Sequence, residues 1–397
     1  MIPSVIVPVT YHEILSALTT ITTSDGSKIS AFEQKFSEYV GCKDVLLTYS
    51  GRTALYLLLK AYGLKRGDEV IMPAYGCETV ARLIMDMGYR LIFADVDMST
   101  YNMSVADLSE RISDNTRAIV AIHMFGNPCD MSGIMEVAGD YNAITIEDSA
   151  QTIGAEYHGK KTGTIGDCGF FSFGTAKPMT TMNGGIVVSE DEEIIKKVRK
   201  IAEGFGSSDS QRLKVLAKLT AYSFIKNPLL YALIYNFTLN RRVARRCMLE
   251  KESINPGDFR YAYTDMQAAV GMVQLSKLDK MNDYRIANAN YLMKRLNDIK
   301  TIHIPEVSDN TKPIFLRLPI WIEEGGVKVR DELIQQMQKS GIDTPVAYPN
   351  VLPRFFNLSM EPYPNAEELV DKTITLPVHP LVKEADLEKS INGIWEY

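Results

Sequence analysis

Cysteine and histidine are scarce, five of each in 397 residues. The cysteines (Cys42, Cys77, Cys129, Cys168, Cys247) are odd in number and lack metal-type spacing, so they read as free thiols in a reducing, cytoplasmic compartment rather than as a disulfide framework. The histidines (His12, His123, His158, His303, His379) form no His-x-x-x-His pair, and no metal site is expected. Basic residues are not in excess. The net charge of -6 argues against nucleic acid as a partner, although local basic patches remain compatible with it. The first residues, MIPSVIVPVTYHE, lack the basic start, apolar core and cleavage site of an export signal. The longest uncharged stretch of the most membrane-like region, residues 227–240, has 14 residues, short of the roughly 20 that span a bilayer, so no transmembrane segment is expected. Internal repeats and low-complexity tracts are absent.

What is present is a set of short apolar runs that end in reactive side chains. AITIEDSAQ (residues 143–151) reads as a buried parallel strand whose C-terminal end opens at Asp148. Adjacent strand residues point to opposite faces, so only one of Glu147 and Asp148 can face a ligand there. GFFSF (residues 169–173) is followed by GTAKPMTTMNGG, a loop of small residues that carries Lys177, 29 positions after Asp148. Gly184 and Gly185 read as the turn into the strand IVVSED. Alone, the lysine reads as a surface residue and the aspartate as a helix cap. Together they suit pyridoxal phosphate: an amine can form an imine with its aldehyde, and a carboxylate opposite the pyridine nitrogen keeps the ring electron-withdrawing. LLTYSGRTALYLLL (residues 46–59) joins a strand to an apolar helix through Ser50, Gly51, Arg52 and Thr53, a turn whose free amides suit an anion, although many such turns bind nothing.

These motifs resemble the DegT/StrS family of sugar aminotransferases, fold type I pyridoxal phosphate enzymes. The resemblance runs from SDGSKISAFEQKFSEYVG through SGRTAL, GDEVIMPAY, NTRAIVAIHMFGNPCDM, IEDSAQTIGAEYHGKKTGTIGD, FFSFGTAK and DMQAAVGMVQLSKLD to TLPVHPLVKEAD. It implies that Lys177 is the Schiff-base lysine, Asp148 the partner of the pyridine nitrogen and Gln151 the amide beside the ring hydroxyl. Ser172 and the backbone of Gly51, Arg52 and Thr53 are then the phosphate binders. The chain departs from the family at Arg52, often threonine, and at Cys77, often an aromatic stacked on the ring. Tyr75 could take that place if the segment is extended. Arg260, Tyr261 and Ala262 replace an Asn-x-Arg that in the family reaches across a dimer. Tyr348 in PVAYPN is similar to a region near the family's substrate pocket, and equally reads as a surface tyrosine between prolines.

The expected architecture is α/β. Alternating strands and helices from residue 44 to about 188 imply a mainly parallel sheet covered on both faces, and the family implies a three-layer α/β/α large domain with a smaller α+β C-terminal domain. The expected boundaries are residues 1–264 for the large domain, 265–300 for a linking helix and 301–397 for the small domain, which shows strand signals at IFLRLPIWI and ITLPVH. Residues 213–247 form an insertion atypical of the family. Two readings stand: a helical element packed on the body or across a dimer, or a lid or patch binding an acidic substrate or an anionic membrane surface.

The resemblance implies a homodimer that moves an amino group from L-glutamate to a keto or aldehyde sugar for surface polysaccharide or lipopolysaccharide. The acceptor is a nucleotide-linked ketosugar or an oxidised ulosonic acid such as 8-oxo-3-deoxy-octulosonate. Two alternatives are a sugar dehydratase, whose family relatives carry histidine where this chain has Lys177, and a non-catalytic regulatory or membrane-associated protein on the same fold.

Overall fold

The structure is a computed structural model and describes residues 1–22, 25–206, 209–225, 227–234, 261–358 and 361–395. Strands β1 (Asp44–Thr48), β2 (Glu69–Pro73), β3 (Arg90–Ala94), β4 (Thr116–Ile122) and β5 (Ile144–Asp148) precede a short hairpin, β6 (Glu156–Tyr157) and β7 (Lys160–Lys161). Strands β8 (Cys168–Ser172) and β9 (Gly185–Ser189) follow it. Seven of these form one sheet in the order β1-β9-β8-β5-β4-β2-β3. Neighbours from β8 to β3 are parallel, and β9 alone runs antiparallel to both of its neighbours.

Side chains alternate across a strand, and here both sets are apolar, which demands cover on both faces. Val70 and Met72 of β2 and Ala118, Val120 and Ile122 of β4 join one core with Leu55, Leu58 and Leu59 of the helix Gly51–Ala61. Their alternates Ile71, Ile119 and Ala121 join a second core with Leu108 and Ile134, from the helices Val105–Arg111 and Met131–Asp140. Each fully buried leucine contributes about 1.5–3 kcal/mol, so these layers, not the loops, hold the strand ends in place.

The C-terminal unit packs the antiparallel strands β10 (Ile302–His303), β12 (Leu318–Ile322) and β13 (Thr373–Leu376) against the helices Gly326–Lys339 and Glu384–Trp395. Strand β11 (Thr311–Lys312) leaves this unit to pair with β6. IFLRLPIWI is therefore a strand only from Leu318. Its first half is irregular because Ile314 and Leu316 donate their amides to the carbonyls of Gly126 and Phe125 at 3.0 and 2.8 Å instead of to a ladder.

The helical pattern of residues 265–298 is two helices, Asp265–Leu275 and Leu278–Leu296, broken at Ser276 and Lys277. The break lets the first lie on Phe32 and Met182 of the large unit while Ala289, Leu292 and Leu296 of the second enter the C-terminal core. Lys277 turns out of the axis to Glu13 and the Pro8 carbonyl. The first residues pack with the C-terminal unit: Ile2 bridges Ile342, and His379 Nε2 donates to the Pro3 carbonyl at 2.8 Å.

Candidate functional site

Asp148 and Ser172 are the last residues of adjacent parallel strands, β5 and β8, so both stand at the C-terminal edge of the sheet. That edge is where open α/β sheets bind ligands. Asp148 is 5% exposed, and Oδ1 accepts the Ala150 amide hydrogen at 3.0 Å. Burial raises its carboxyl above the ordinary aspartate range, and the strongest influence holding it down is the ammonium of Lys177. The two residues of the motif reading thus lie within electrostatic reach of each other, across 29 residues of sequence.

The turn before the helix Gly51–Ala61 meets the same edge. Ser50 Oγ caps the helix by accepting the Thr53 amide hydrogen at 3.1 Å. The amides of Gly51 and Arg52 have no partner among the described residues, the usual state of a helix start and a ready anion cradle. A Cβ at Gly51 would stand 3.1 Å from Cβ and 3.5 Å from Oγ of Ser172, and one at Gly174 would stand 3.7 Å from Ser172 Oγ and 3.8 Å from Lys177 Cγ. The cradle, the serine and the lysine therefore share one small volume. Thr53 is buried; the Arg52 side chain is exposed and only its backbone faces the turn.

Gln151 Nε2 donates to the Tyr348 hydroxyl at 3.0 Å, while Gln151 Oε1 is buried without a partner. The Tyr348 ring lies 5.4 Å from that of Tyr75 and 5.8 Å from that of Phe125. Tyr348 is therefore half-buried against Gln151, Tyr75 and Phe125 rather than standing open on the surface. Burial raises the Tyr348 hydroxyl well above its usual range. Tyr75 is fully buried, with its backbone bridged to Val351. Cys77 is a half-buried thiol that begins the helix Glu78–Asp86, its Sγ 3.1 Å from Thr79 Oγ1.

Glu147 faces away, as alternation requires. It is fully buried and accepts the amides of Gly163, Ile165 and Gly166 at 2.7, 2.6 and 2.8 Å, with His123 Nε2 at 3.0 Å. The Cys129 amide donates to His123 Nδ1 at 3.0 Å, so the ring's own proton sits on Nε2 and is given to Glu147.

The lysine loop is braced by residues that the motif reading passed over. Arg285, 1% exposed, donates from Nη2 to the Pro178 carbonyl at 2.7 Å and from Nη1 to Asn282 Oδ1 at 2.7 Å, and burial without a carboxylate lowers its pKa to about 10. Gln267 Nε2 donates to the Asn183 carbonyl at 2.7 Å, and Gln274 Oε1 accepts the Thr180 amide at 3.4 Å. A signal was available: two glutamines seven apart on one helix share a face, as bracing residues must. Arg285 gave none, since an arginine in a polar helix reads as surface.

Arg260 lies outside the described residues, as does the insertion beyond Ile234, with Arg241, Arg242, Arg245 and Arg246. The described part forms the helices Asp209–Ile225 and Pro228–Ile234. Val215 and Leu219 enter a core with Val9, Ala17 and Val270, and Tyr222 OH donates to the carbonyl of Thr175 in the lysine loop at 2.9 Å. Among the described residues no helix is long and apolar enough to cross a membrane.

The chain is similar to the GDP-perosamine synthase of Caulobacter vibrioides, 30% identical over 95% of this chain and 91% of the relative. It is also similar to the dTDP-3-amino-3,6-dideoxy-alpha-D-galactopyranose transaminase of Aneurinibacillus thermoaerophilus, 26% identical over 94% and 90%. Its fold matches the crystal structure of the aminotransferase TlmJ from Streptoalloteichus hindustanus with a TM-score of 0.81, at 23% identity over 99% and 98% of the two chains. The family model of the DegT/DnrJ/EryC1/StrS aminotransferases matches residues 10–394, nearly the whole length. With the lysine, the buried carboxylate and the anion cradle gathered at one edge of a parallel sheet, this chain belongs to the DegT/DnrJ/EryC1/StrS aminotransferase family.

Proposed function

We propose that this chain is a pyridoxal 5'-phosphate enzyme that transfers the amino group of L-glutamate to the carbonyl carbon of a nucleotide-linked keto sugar, on the way to an amino sugar for a surface polysaccharide. The observation that carries this reading is the buried carboxylate of Asp148 at the C-terminal edge of the sheet, within electrostatic reach of the Lys177 ammonium. Relatives named for nucleotide-linked amino sugars support the acceptor class. A lysine at position 177 favours amino transfer over removal of a hydroxyl.

The residues fit the cofactor. Two free amides and the Ser172 hydroxyl suit its phosphate, the orphaned Gln151 Oε1 suits its ring hydroxyl, and Asp148 suits a protonated ring nitrogen. When bound, the cofactor supplies an electron sink for negative charge at the donor's α-carbon. Lys177 Nζ would hold the aldehyde end and, once the donor's amine has displaced it there, would be the free amine that takes and returns the donor's α-proton. Asp148 would pair with the protonated ring nitrogen, whose positive charge would offset the cost of burying a carboxylate. Arg285, Gln267 and Gln274 keep Nζ in register by fixing the loop after it.

Replacing Lys177 by Ala removes turnover and the visible absorbance of the lysine-bound cofactor; retention of both refutes the assignment. Converting the wild type with glutamate and then offering sugar carbonyls identifies the acceptor by the return of that absorbance. Return with a free oxidised ulosonic acid, and not with nucleotide-linked ketohexoses, would overturn the acceptor class. The enzyme is proposed to be a homodimer. An open groove of about 670 Å³ bounded by Thr19, Thr20, Lys35, Met272 and Val273, beside exposed Leu15 and Leu18, supports a second copy at this face. A monomer mass in light scattering would remove it.

A further inference from the structure

Lys177 stands on a loop, and a loop needs support from outside to hold one amine in one place. The helix Asp209–Ile225 gives that support at two points. Val215, Leu219 and Tyr222 are four and three positions apart, so they share one of its faces. Val215 and Leu219 pack in one core with Met182, five residues after the lysine, and with Val9 near the start of the chain. Tyr222 reaches the other side of the lysine. Its hydroxyl donates to the carbonyl of Thr175, two residues before Lys177, at 2.9 Å and accepts the Val7 amide hydrogen at 3.2 Å. Burial raises this hydroxyl to about 12, so it stays protonated, and a donor, at neutral pH. Arg285 holds the next carbonyl after the lysine, that of Pro178, at 2.7 Å. Lys177 is thus flanked by two backbone carbonyls, each tied down by a side chain from a helix outside the sheet. The following helix, Pro228–Ile234, is anchored elsewhere: Tyr231 OH donates to Asp343 Oδ2 of the C-terminal unit at 2.9 Å.

We propose that Tyr222 is a positioning residue for Lys177: through the Thr175 carbonyl its hydroxyl fixes the backbone from which the amine reaches the donor's α-carbon. The helix Asp209–Ile225 then belongs to the catalytic apparatus and is more than a surface addition. The proposal rests on the reading of Lys177 given above. A phenylalanine would fill the same space in the core, so packing alone does not call for the hydroxyl; its two hydrogen bonds do, and they join segments 47 and 215 positions apart in sequence. The tie is made to backbone beside the amine and not to a ligand. Removing it therefore loosens the distance over which the proton moves and leaves the affinity for the donor alone.

The test compares wild type, Tyr222→Phe and Tyr231→Phe in two measurements. In the cofactor-free protein, amide hydrogen exchange of the peptide covering residues 174–182 is expected to run about two- to tenfold faster in Tyr222→Phe, the scale of one hydrogen bond, and at the wild-type rate in Tyr231→Phe. In the cofactor-loaded protein, a single turnover with L-glutamate is followed by the loss of the lysine-bound absorbance. Tyr222→Phe is expected to slow it about tenfold at full amplitude, with the half-saturating glutamate concentration within twofold of wild type. The rate ratio between ordinary and α-deuterated glutamate should be no smaller than in wild type, because the proton step has become the harder one. Tyr231→Phe should react as wild type does. A merely structural role lowers the amplitude and leaves the rate and the isotope ratio alone, and that result overturns the proposal. So does an unchanged rate, unchanged exchange of the loop, or an equal slowing in Tyr231→Phe. A wild type that shows no lysine-bound absorbance, or does not react with glutamate, fails earlier, at the proposed function, and takes this proposal with it; a reactive wild type beside an unaffected Tyr222→Phe sinks this proposal alone.

Discussion

Glu147 and Asp148 are adjacent carboxylates with opposite duties, and exchanging each for its amide separates them. Glu147 Oε1 accepts the Ile165 and Gly166 amides, and Oε2 accepts Gly163 and His123 Nε2–H. In Glu147→Gln one oxygen becomes an NH2 group that confronts two donors inside a fully buried site. Two charge-assisted bonds at about 1.5–3 kcal/mol each are lost, so the expected cost is about 3–6 kcal/mol. With an unfolding entropy of about 2.1 cal/mol/K per residue over 397 residues, the melting midpoint should fall by roughly 4–7 °C for a chain that melts as one unit. Asp148 accepts one amide from Ala150, which an asparagine oxygen can keep, so Asp148→Asn should melt within a degree or two of wild type. It should lose turnover by about two to three orders of magnitude, the scale of removing one preorganised charge contact. Differential scanning calorimetry and steady-state transamination, on both variants, decide the matter. A Glu147→Gln midpoint within 1 °C of wild type, or an Asp148→Asn enzyme with undiminished turnover, would refute the division of roles.

A Cβ on Gly185 would sit 2.5 Å from the Ser50 carbonyl carbon and 2.6 Å from the Gly51 nitrogen, so Gly185→Ala must displace the anion cradle. Its cofactor dissociation constant in a fluorescence titration should rise about tenfold or more; an unchanged constant would show that the turn does not hold the phosphate. Burial lowers His379 to a pKa of about 4, with Nε2–H donating to Pro3 and Nδ1 accepting from Leu381 at 3.3 Å. Below its unfolded pKa of about 6.5 the unfolded chain binds the proton and the folded chain does not, so stability should fall by about 3 kcal/mol as pH drops from 6.5 to 4, with no contribution above 6.5. His379→Gln should flatten that slope in melting-temperature measurements, and an identical slope would rule out the assignment.

Much of the edge of the sheet was legible along the chain. The runs that end at Asp148 and Ser172, the Ser50–Thr53 turn and the glycine pair before β9 are local signals, set by strand alternation, helix capping and turn chemistry. Even the opposite facing of Glu147 and Asp148 follows from the pleat. The break at Ser276 was invisible because apolar spacing near 3.6 continues across it, and only the two cores it serves explain it. The irregular start of IFLRLPIWI was hidden for a similar reason: β-branched and aromatic residues suit a strand, and a crossing partner took its hydrogen bonds.

By itself, then, the order of residues determined the α/β class and the family, and it singled out one lysine and one carboxylate as a candidate pair, because those depend on periodicities and spacings within short stretches. The tertiary structure alone decided that Tyr348 meets Gln151 across 197 positions and that Arg285 holds the loop after Lys177. Such partners are chosen when segments far apart in the chain pack against each other, and no local propensity encodes which distant side chain will be waiting there.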